Sequence, residues 1–138
     1  MYKRMICVLL SMVLLFSLTG CNNKEKKEGE YQIYYMNMDR TRLVSEVYDS
    51  TGATGEELVQ ELLAKLQSAP DSIKLRQTIP VDIVVNSVKI NGVYLYIDFN
   101  EAYKELSHTE EVLVRAAIVK TVMQTGDFSL VALIPIRY

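Results

Sequence analysis

The alternation of apolar and polar positions predicts a small α/β domain that starts near residue 31. Residues 31–36 and 43–48 are rich in Tyr, Ile and Val, which favour extended strands. Thr54-Gly55-Glu56-Glu57 is a capping-box sequence, in which the Thr54 side chain is expected to accept from the backbone N–H of Glu57. The helix that follows carries a leucine stripe on one side and is ended by Pro70. Residues 71–81 are expected to form a surface loop with one or two buried anchors.

The strongest local pattern predicts a β-hairpin around Asn91-Gly92. This pair is preferred in two-residue type I′ turns, and apolar alternation flanks it over residues 83–90 and 93–99. Pairing Ile90 with Val93 would set an apolar face with Val88 opposite Leu95 and Val84 opposite Phe99. The other face would be mixed, and its Tyr94 and Tyr96 suit a binding surface.

A second helix is predicted from the Ser107-His108-Thr109-Glu110 capping sequence to about Gln124. It has two apolar stripes, the first of Val112, Ala116, Val119 and Met123 and the second of Val114, Ile118 and Val122. A helix that is apolar on two sides packs on two sides, here on the sheet and the first helix. The alternative is that the second stripe, Val114, Ile118 and Val122, contacts another protomer. A last strand is predicted over residues 128–134.

The N-terminus has the pattern of a bacterial lipoprotein signal peptide. Lys3 and Arg4 precede a short apolar run, and Leu18-Thr19-Gly20-Cys21 is a lipobox, which predicts lipidation of Cys21 after removal of residues 1–20. An uncleaved anchor is the alternative. Residues 22–29 lack apolar side chains and predict a flexible tether. The expected location is the outer face of the bacterial cytoplasmic membrane, lipid-anchored through Cys21.

Charge and cysteine content narrow the function classes. The chain has 15 basic and 17 acidic residues, and removal of Lys3 and Arg4 moves the net charge from −2 to −4. A mildly acidic domain is a poor nucleic-acid binder. Cys7 would leave with the signal peptide and Cys21 would carry lipid, so neither a disulfide nor a thiol nucleophile is expected.

The sequence predicts no catalytic residue, metal site or cofactor. His108 is the single histidine, lies in a helix-capping sequence and lacks a nucleophile motif around it. The best group of oxygen ligands is Asp98, Asn100, Glu101 and Glu105, but its spacing matches no calcium loop. The rival hypothesis uses this Asp98–Glu105 region in a cell-wall-associated enzyme or a glycan-binding lipoprotein, since the distance between paired carboxylates is not given by a sequence.

The order of these elements resembles the GerMN domain of sporulation and spore-germination proteins and other envelope lipoproteins. The likeness lies in residues 33–37, Leu43-Val44, Glu56-Glu57-Leu58-Val59 and above all residues 88–99. It implies an α/β (α+β) single domain similar to ring-building folds, with a small mixed sheet of about four to five strands and two helices packed on one face. A Pro near Ser45 and a basic residue near Tyr48, expected for this family, are missing.

Together these features predict three segments and one function. Residues 1–20 are the signal peptide, 21–30 the lipidated cysteine and tether, and 31–138 the GerMN-like domain. We expect a non-catalytic interaction or assembly module of the bacterial envelope, in the setting of sporulation or germination that the resemblance implies. Its expected partners are the membrane and either another protein or a second copy, and not nucleic acid.

Overall fold

The computed structural model describes residues 28–135 and forms an α/β domain. Its six strands are β1 (Glu30–Asn37), β2 (Leu43–Asp49), β3 (Leu75–Arg76), β4 (Val85–Asn91), β5 (Tyr94–Phe99) and β6 (Leu130–Pro135). Its two α-helices are α1 (Gly55–Gln67) and α2 (His108–Val122). Short 3-10 helices at Glu101–Glu105 and Met123–Thr125 flank α2.

The strands are divided between two three-stranded sheets. The first sheet has the order β2-β1-β3 and is antiparallel. The second has the order β4-β5-β6, in which β4 and β5 are antiparallel and β6 runs parallel to β5 after the α2 crossover. The predicted α/β class and the two helices are confirmed. The sequence predicted a single sheet of four to five strands, whereas the structure has two sheets of three strands each. The strand β3 was not predicted, because its two residues leave no periodic pattern in the sequence.

One apolar core joins the two sheets and both helices. The α1 stripe is buried as predicted, through Leu58, Val59, Leu62, Leu63 and Leu66. These side chains pack in a single cluster with buried residues of β1, β5 and α2. In the long loop before β4, Thr78 and Ile79 are the buried anchors that the sequence predicted. Burial of this cluster is the main force that holds the layers together.

The β4–β5 hairpin forms with a different turn from the predicted one. Asn91 pairs with Tyr94, so the two-residue loop is Gly92-Val93 rather than Asn91-Gly92. Gly92 has φ +59° and occupies the first central position, as in a type II′ turn. The predicted pairing of Ile90 with Val93 is therefore wrong, and Ile90 pairs with Leu95 instead. Because this displacement is an even number of residues, the two faces of the hairpin keep their predicted composition from Ser87 to Asp98.

A β-bulge in β4 corrects one further predicted pair. Ser87 pairs with Asp98 and Val85 with Phe99, which leaves Asn86 as the extra residue. The bulge shifts all positions before it by one residue, and Val84, predicted opposite Phe99, is 51% exposed. Ile83 takes the buried position instead.

The two helices start differently, although both were predicted to carry capping boxes. In α2 the Ser107 hydroxyl accepts from the Glu110 backbone N–H at 3.4 Å and donates to the Glu110 carboxylate at 2.8 Å. In α1 the Thr54 side chain makes no capping hydrogen bond, so that prediction is wrong. Glu56 of the first turn reaches the edge of β4 instead and accepts from the Ile90 N–H at 2.8 Å.

Side chains near the C-terminal end of α2 close the open edge of β1. Gln124 accepts from the Gln32 N–H at 2.9 Å and donates to the Gln32 carbonyl at 2.7 Å, so its amide replaces a neighbouring strand. Thr121 accepts from the Tyr34 N–H at 3.3 Å, and Thr78 donates to the Tyr34 carbonyl at 3.0 Å. The backbone groups of β1 beyond the short β3 are thereby satisfied.

Candidate interaction surface

The side chains of β5 alternate between the core and the surface. Leu95, Ile97 and Phe99 are completely buried. Tyr94, Tyr96 and Asp98 point to the opposite side, as successive residues of a strand do. The second sheet therefore has one face in the core and one face toward solvent.

Strand pairing extends this solvent-facing side over all three strands. On β4 the residues paired with the outward β5 positions are Asn91, Lys89 and Ser87. On β6 they are Leu130, Ala132 and Ile134. We call these nine positions the outer face; its three rows are Asn91-Tyr94-Leu130, Lys89-Tyr96-Ala132 and Ser87-Asp98-Ile134.

The outer face combines five apolar or aromatic positions with four polar or charged ones. Tyr94 is 44% exposed, Leu130 49% and Ile134 42%. The rings of Tyr94 and Tyr96 are stacked, with centroids 6.0 Å apart and planes inclined at 25°. Val93, in the adjoining turn, is 53% exposed. Contiguous exposed apolar side chains with aromatic residues at their centre are typical of binding surfaces.

Two charged residues of opposite sign lie on the outer face. Lys89 pairs with Tyr96, and Asp98 lies in the next row beside Ser87. Asp98 accepts a long hydrogen bond of 3.5 Å from the Asn86 side-chain amide. Within the described part of the chain, Lys89 and Asp98 do not form an ion pair with each other.

The sequence pattern predicted the tyrosines of β5 on this surface but not the residues of β6. The structure brings Tyr94 and Tyr96 together on the outer face, where the hairpin pattern predicted them. The contribution of Leu130, Ala132 and Ile134 was missed. Parallel pairing of β6 with β5 is a long-range contact, and the sequence of β6, apolar at every position, does not distinguish its two faces.

The other predicted surface residues lie in the core. Val114, Ile118 and Val122 are fully buried, so the hypothesis that they form an interaction surface is wrong for the folded chain. This stripe of α2 faces the core, where it belongs to one cluster with buried residues of β1, α1 and β5. Both stripes were predicted to pack, but the first is buried only in part, since its end residues Val112 and Met123 are 53% and 37% exposed.

The Asp98–Glu105 region is dispersed rather than assembled into one site. Asp98 is on the outer face, whereas Asn100 ties β5 to the segment before β4. The Asn100 side chain accepts from the Val84 N–H at 3.0 Å and donates to the Asp82 carbonyl at 2.9 Å. Glu101 lies 3.8 Å from Lys104, and Glu105 is exposed. The carboxylates of the rival hypothesis therefore lie on different elements, Asp98 on β5 and both Glu101 and Glu105 in the 3-10 helix that follows it.

His108 is the exposed first residue of α2, directly after the Ser107 cap. Among residues 28–135, no group of three or more His, Cys, Asp or Glu side chains is arranged to hold a metal ion. The neighbouring Glu110 accepts from Ser107 and forms an ion pair with Arg40. The hydrogen bond from Ser107, with a further contribution from the Arg40 charge, lowers the pKa of Glu110.

An open cleft of about 730 Å³ lies between β1, β3 and the start of α2. Its walls combine apolar side chains with Arg76 and the Arg40–Glu110 ion pair. Ile73, at its rim, is 92% exposed. The cleft was not found from the sequence because the loop before β4 forms most of one wall.

The predicted lipidation site and signal peptide fall outside the described residues, since the structure starts at residue 28. Within the described part, neither helix has the length and apolar composition needed to cross a bilayer. Only the last residues of the predicted tether are described. There the Ser50 backbone N–H donates a 2.8 Å hydrogen bond to the Gly29 carbonyl, and β1 begins at Glu30.

Solved structures of GerMN domains have the same fold. The first GerMN domain of the sporulation protein GerM from Bacillus subtilis matches with a TM-score of 0.60 and 21% identity, over 75% of this chain and 80% of that chain. The tandem GerMN domains of the same protein match with a TM-score of 0.61 and 20% identity, over 75% of this chain and 38% of that chain. No family model and no curated protein matches the sequence. In its fold, the described chain is a GerMN-like domain.

Proposed function

We propose that this protein is a lipoprotein of the bacterial envelope, anchored through Cys21 to the outer face of the cytoplasmic membrane, whose GerMN-like domain binds and assembles proteins without catalysing a reaction. The observation that carries the proposal is the outer face. A sheet with one side in the core and a stacked tyrosine pair among exposed aliphatic side chains on the other is suited to protein contact.

The setting of this assembly is proposed from the structural neighbours. Both are GerMN domains of a sporulation protein, and they share the fold of this chain at about one-fifth sequence identity. Sporulation or germination is therefore the process in which we would look first for an envelope defect after deletion. The lipobox at residues 18–21 supports the anchor, and the tether up to Gly29 would keep the domain within roughly 15 Å of the membrane surface.

The anchor is tested by comparing the two cysteines. Cys21→Ala should abolish incorporation of a labelled fatty acid and leave an unprocessed or released chain. Cys7→Ala is the matched control and should leave labelling and membrane association unchanged, because Cys7 lies in the segment to be removed. Normal lipid labelling of the Cys21→Ala variant would overturn the assignment.

The binding role is tested in cells with a photo-crosslinking residue in place of Tyr94. We expect specific crosslinked products from this position. The control is the same residue in place of Val47, which is 58% exposed on β2 of the other sheet. Products of equal size and yield from both positions would contradict a role for the outer face.

A further inference from the structure

We infer that the outer face binds the outer face of a second copy of this chain, with Lys89 of each copy against Asp98 of the other. This rests on the proposed function and deepens it, because it names the partner.

The charges of the outer face make it complementary to itself. Its nine positions contain one lysine, Lys89, and one aspartate, Asp98, on neighbouring strands and in adjacent rows. A two-fold axis repeats every contact, so a single Lys–Asp pair across it becomes two pairs of opposite charge. The remaining positions are neutral, and pairing in this way leaves no like charges opposed.

The same axis also matches apolar side chains. Strands lie about 4.8 Å apart and two residues span about 6.8 Å along a strand. On this lattice, the in-plane axis that sets Lys89 over Asp98 of the second copy runs close to Tyr96 and Ala132. It places Tyr94 against Ile134 of the second copy. The strands of the two sheets then cross at about 70°, near the orthogonal class of sheet packing.

The area of the face predicts a weak dimer in solution. Three strands of six residues cover roughly 15 by 20 Å, or about 300 Å² in projection, whereas a standard interface buries about 800 Å² on each partner. Confinement compensates for the small area. Anchoring through short tethers would hold all copies in a thin layer beside one membrane and so raise their local concentration above that in free solution. The dimer is therefore expected on the membrane and not in dilute solution.

The contact is tested in the membranes of cells that express the full chain. In a Cys7→Ala background, Tyr96→Cys places a thiol next to the two-fold axis, where a short bismaleimide can link two copies across the roughly 10 Å between packed sheets. We expect at least tenfold more crosslinked dimer from Tyr96→Cys than from Val47→Cys, whose position is exposed on the other sheet. Equal yields from the two positions would overturn the inference.

Charge reversal tests which residues meet. In the Tyr96→Cys chain, Lys89→Glu alone and Asp98→Lys alone should each reduce the dimer about tenfold, because each opposes like charges twice. Co-expressed with different tags, these two variants should form the mixed dimer at close to the original yield, because every pair is again of opposite sign. The controls Lys74→Glu and Asp39→Lys make the same charge changes at exposed sites off the outer face and should have no effect.

The mixed dimer makes the result independent of folding defects, since a variant that misfolds cannot be rescued by the other. Failure of rescue, with both variants present in membranes, would overturn the Lys89–Asp98 contact. Lipid labelling of the same cells separates the two proposals. Chains labelled at Cys21 that give no dimer would refute the second-copy contact alone. Unlabelled chains that give the dimer would refute the anchor alone.

Discussion

The two sheets of this domain deal with their exposed backbone and side chains in different ways. In the first sheet, the edge of β1 is closed by the side chains of Gln124, Thr121 and Thr78, which take the place of a further strand. In the second sheet, the outer face keeps Tyr94 and its aliphatic neighbours exposed. The first sheet is completed by polar bonds within the chain, whereas the second presents an apolar surface.

The difference shows which part of the surface is available for partners. Unpaired backbone groups at an edge favour indiscriminate strand pairing, and the side chains of Gln124, Thr121 and Thr78 remove that risk at β1. An apolar face binds through side chains, so its contacts depend on shape and on the placement of charges such as Lys89 and Asp98.

The two faces of β5 should respond very differently to truncation. Ile97→Ala removes a fully buried side chain and should lower the free energy of unfolding by about 2–5 kcal/mol. Tyr96→Ala, at the next position but on the outer face, should cost about 1 kcal/mol or less. Urea denaturation of a chain that begins at Asn22 measures both. Similar losses at the two positions would show that the outer face is covered.

The edge of the first sheet should depend on Gln124. Gln124→Ala leaves both the N–H and the carbonyl of Gln32 without their side-chain partner, which should cost about 1–3 kcal/mol. Hydrogen exchange should show faster exchange at the Gln32 amide, while the Ile97 amide in the second sheet stays protected. A variant as stable as the wild type would mean that Gln124 does not hold this edge.

Removal of the N-cap should destabilise the protein more at α2, which carries Thr121 of the β1 edge, than at α1. Ser107→Ala removes a capping hydroxyl that bonds Glu110 and should cost about 1 kcal/mol. Thr54→Ala should cost less than about 0.5 kcal/mol, since the Thr54 side chain makes no capping bond. Thermal melts measure the two losses, and Ser107→Ala should have the lower midpoint temperature of the two variants. A reversed ranking would contradict the observed caps.

The smallest expected effect concerns the pH dependence of the β2–α1 contact. Glu61 accepts from the Tyr48 hydroxyl at 2.6 Å and from Thr51 at 2.9 and 2.7 Å. Although burial opposes ionisation, these hydrogen bonds lower the pKa of Glu61 below its usual 4.5, and the bond to Glu61 raises the pKa of Tyr48 to about 12.

A carboxyl whose pKa is lower in the folded state stabilises the fold above its unfolded pKa, and this contribution is lost as the pH falls through the folded pKa. Glu61→Gln should therefore be less stable than the wild type at pH 7, and the gap should narrow toward pH 3. Urea midpoints at the two pH values measure it. A gap of constant size would assign the loss to packing instead of charge.

Local patterns in the sequence predicted most of the elements. The leucine stripe of α1 and the alternation of β5 depend on neighbouring residues, and both are buried as expected. The hairpin faces were also correct although the register was not, because a shift of two residues restores the same side to the core. The bulge at Asn86 was missed, although the adjacent polar residues Asn86 and Ser87 interrupt the alternation of the strand.

The sequence did not show which of the two apolar stripes of α2 is buried more deeply. Val114, Ile118 and Val122 form one stripe and Val112, Ala116, Val119 and Met123 another, and both are apolar enough for a core. Which stripe is buried depends on where β1 lies, and that is a long-range contact. The candidate surface was half found for the same reason, because Tyr94 and Tyr96 belong to a local hairpin whereas Leu130 and Ile134 reach it from a distant strand.

The parallel pairing of β6 with β5 also affects the order in which the parts of the outer face form during folding. Tyr94 pairs with Asn91 across a tight turn, whereas its pairing with Leu130 closes a long connection that includes α2. Closing the longer loop is entropically slower, so the hairpin should form early in folding and β6 should dock late. In a chain that folds after export, the outer face is complete only when β6 has paired with β5. Recognition by a second copy would thus be restricted to molecules that have finished folding.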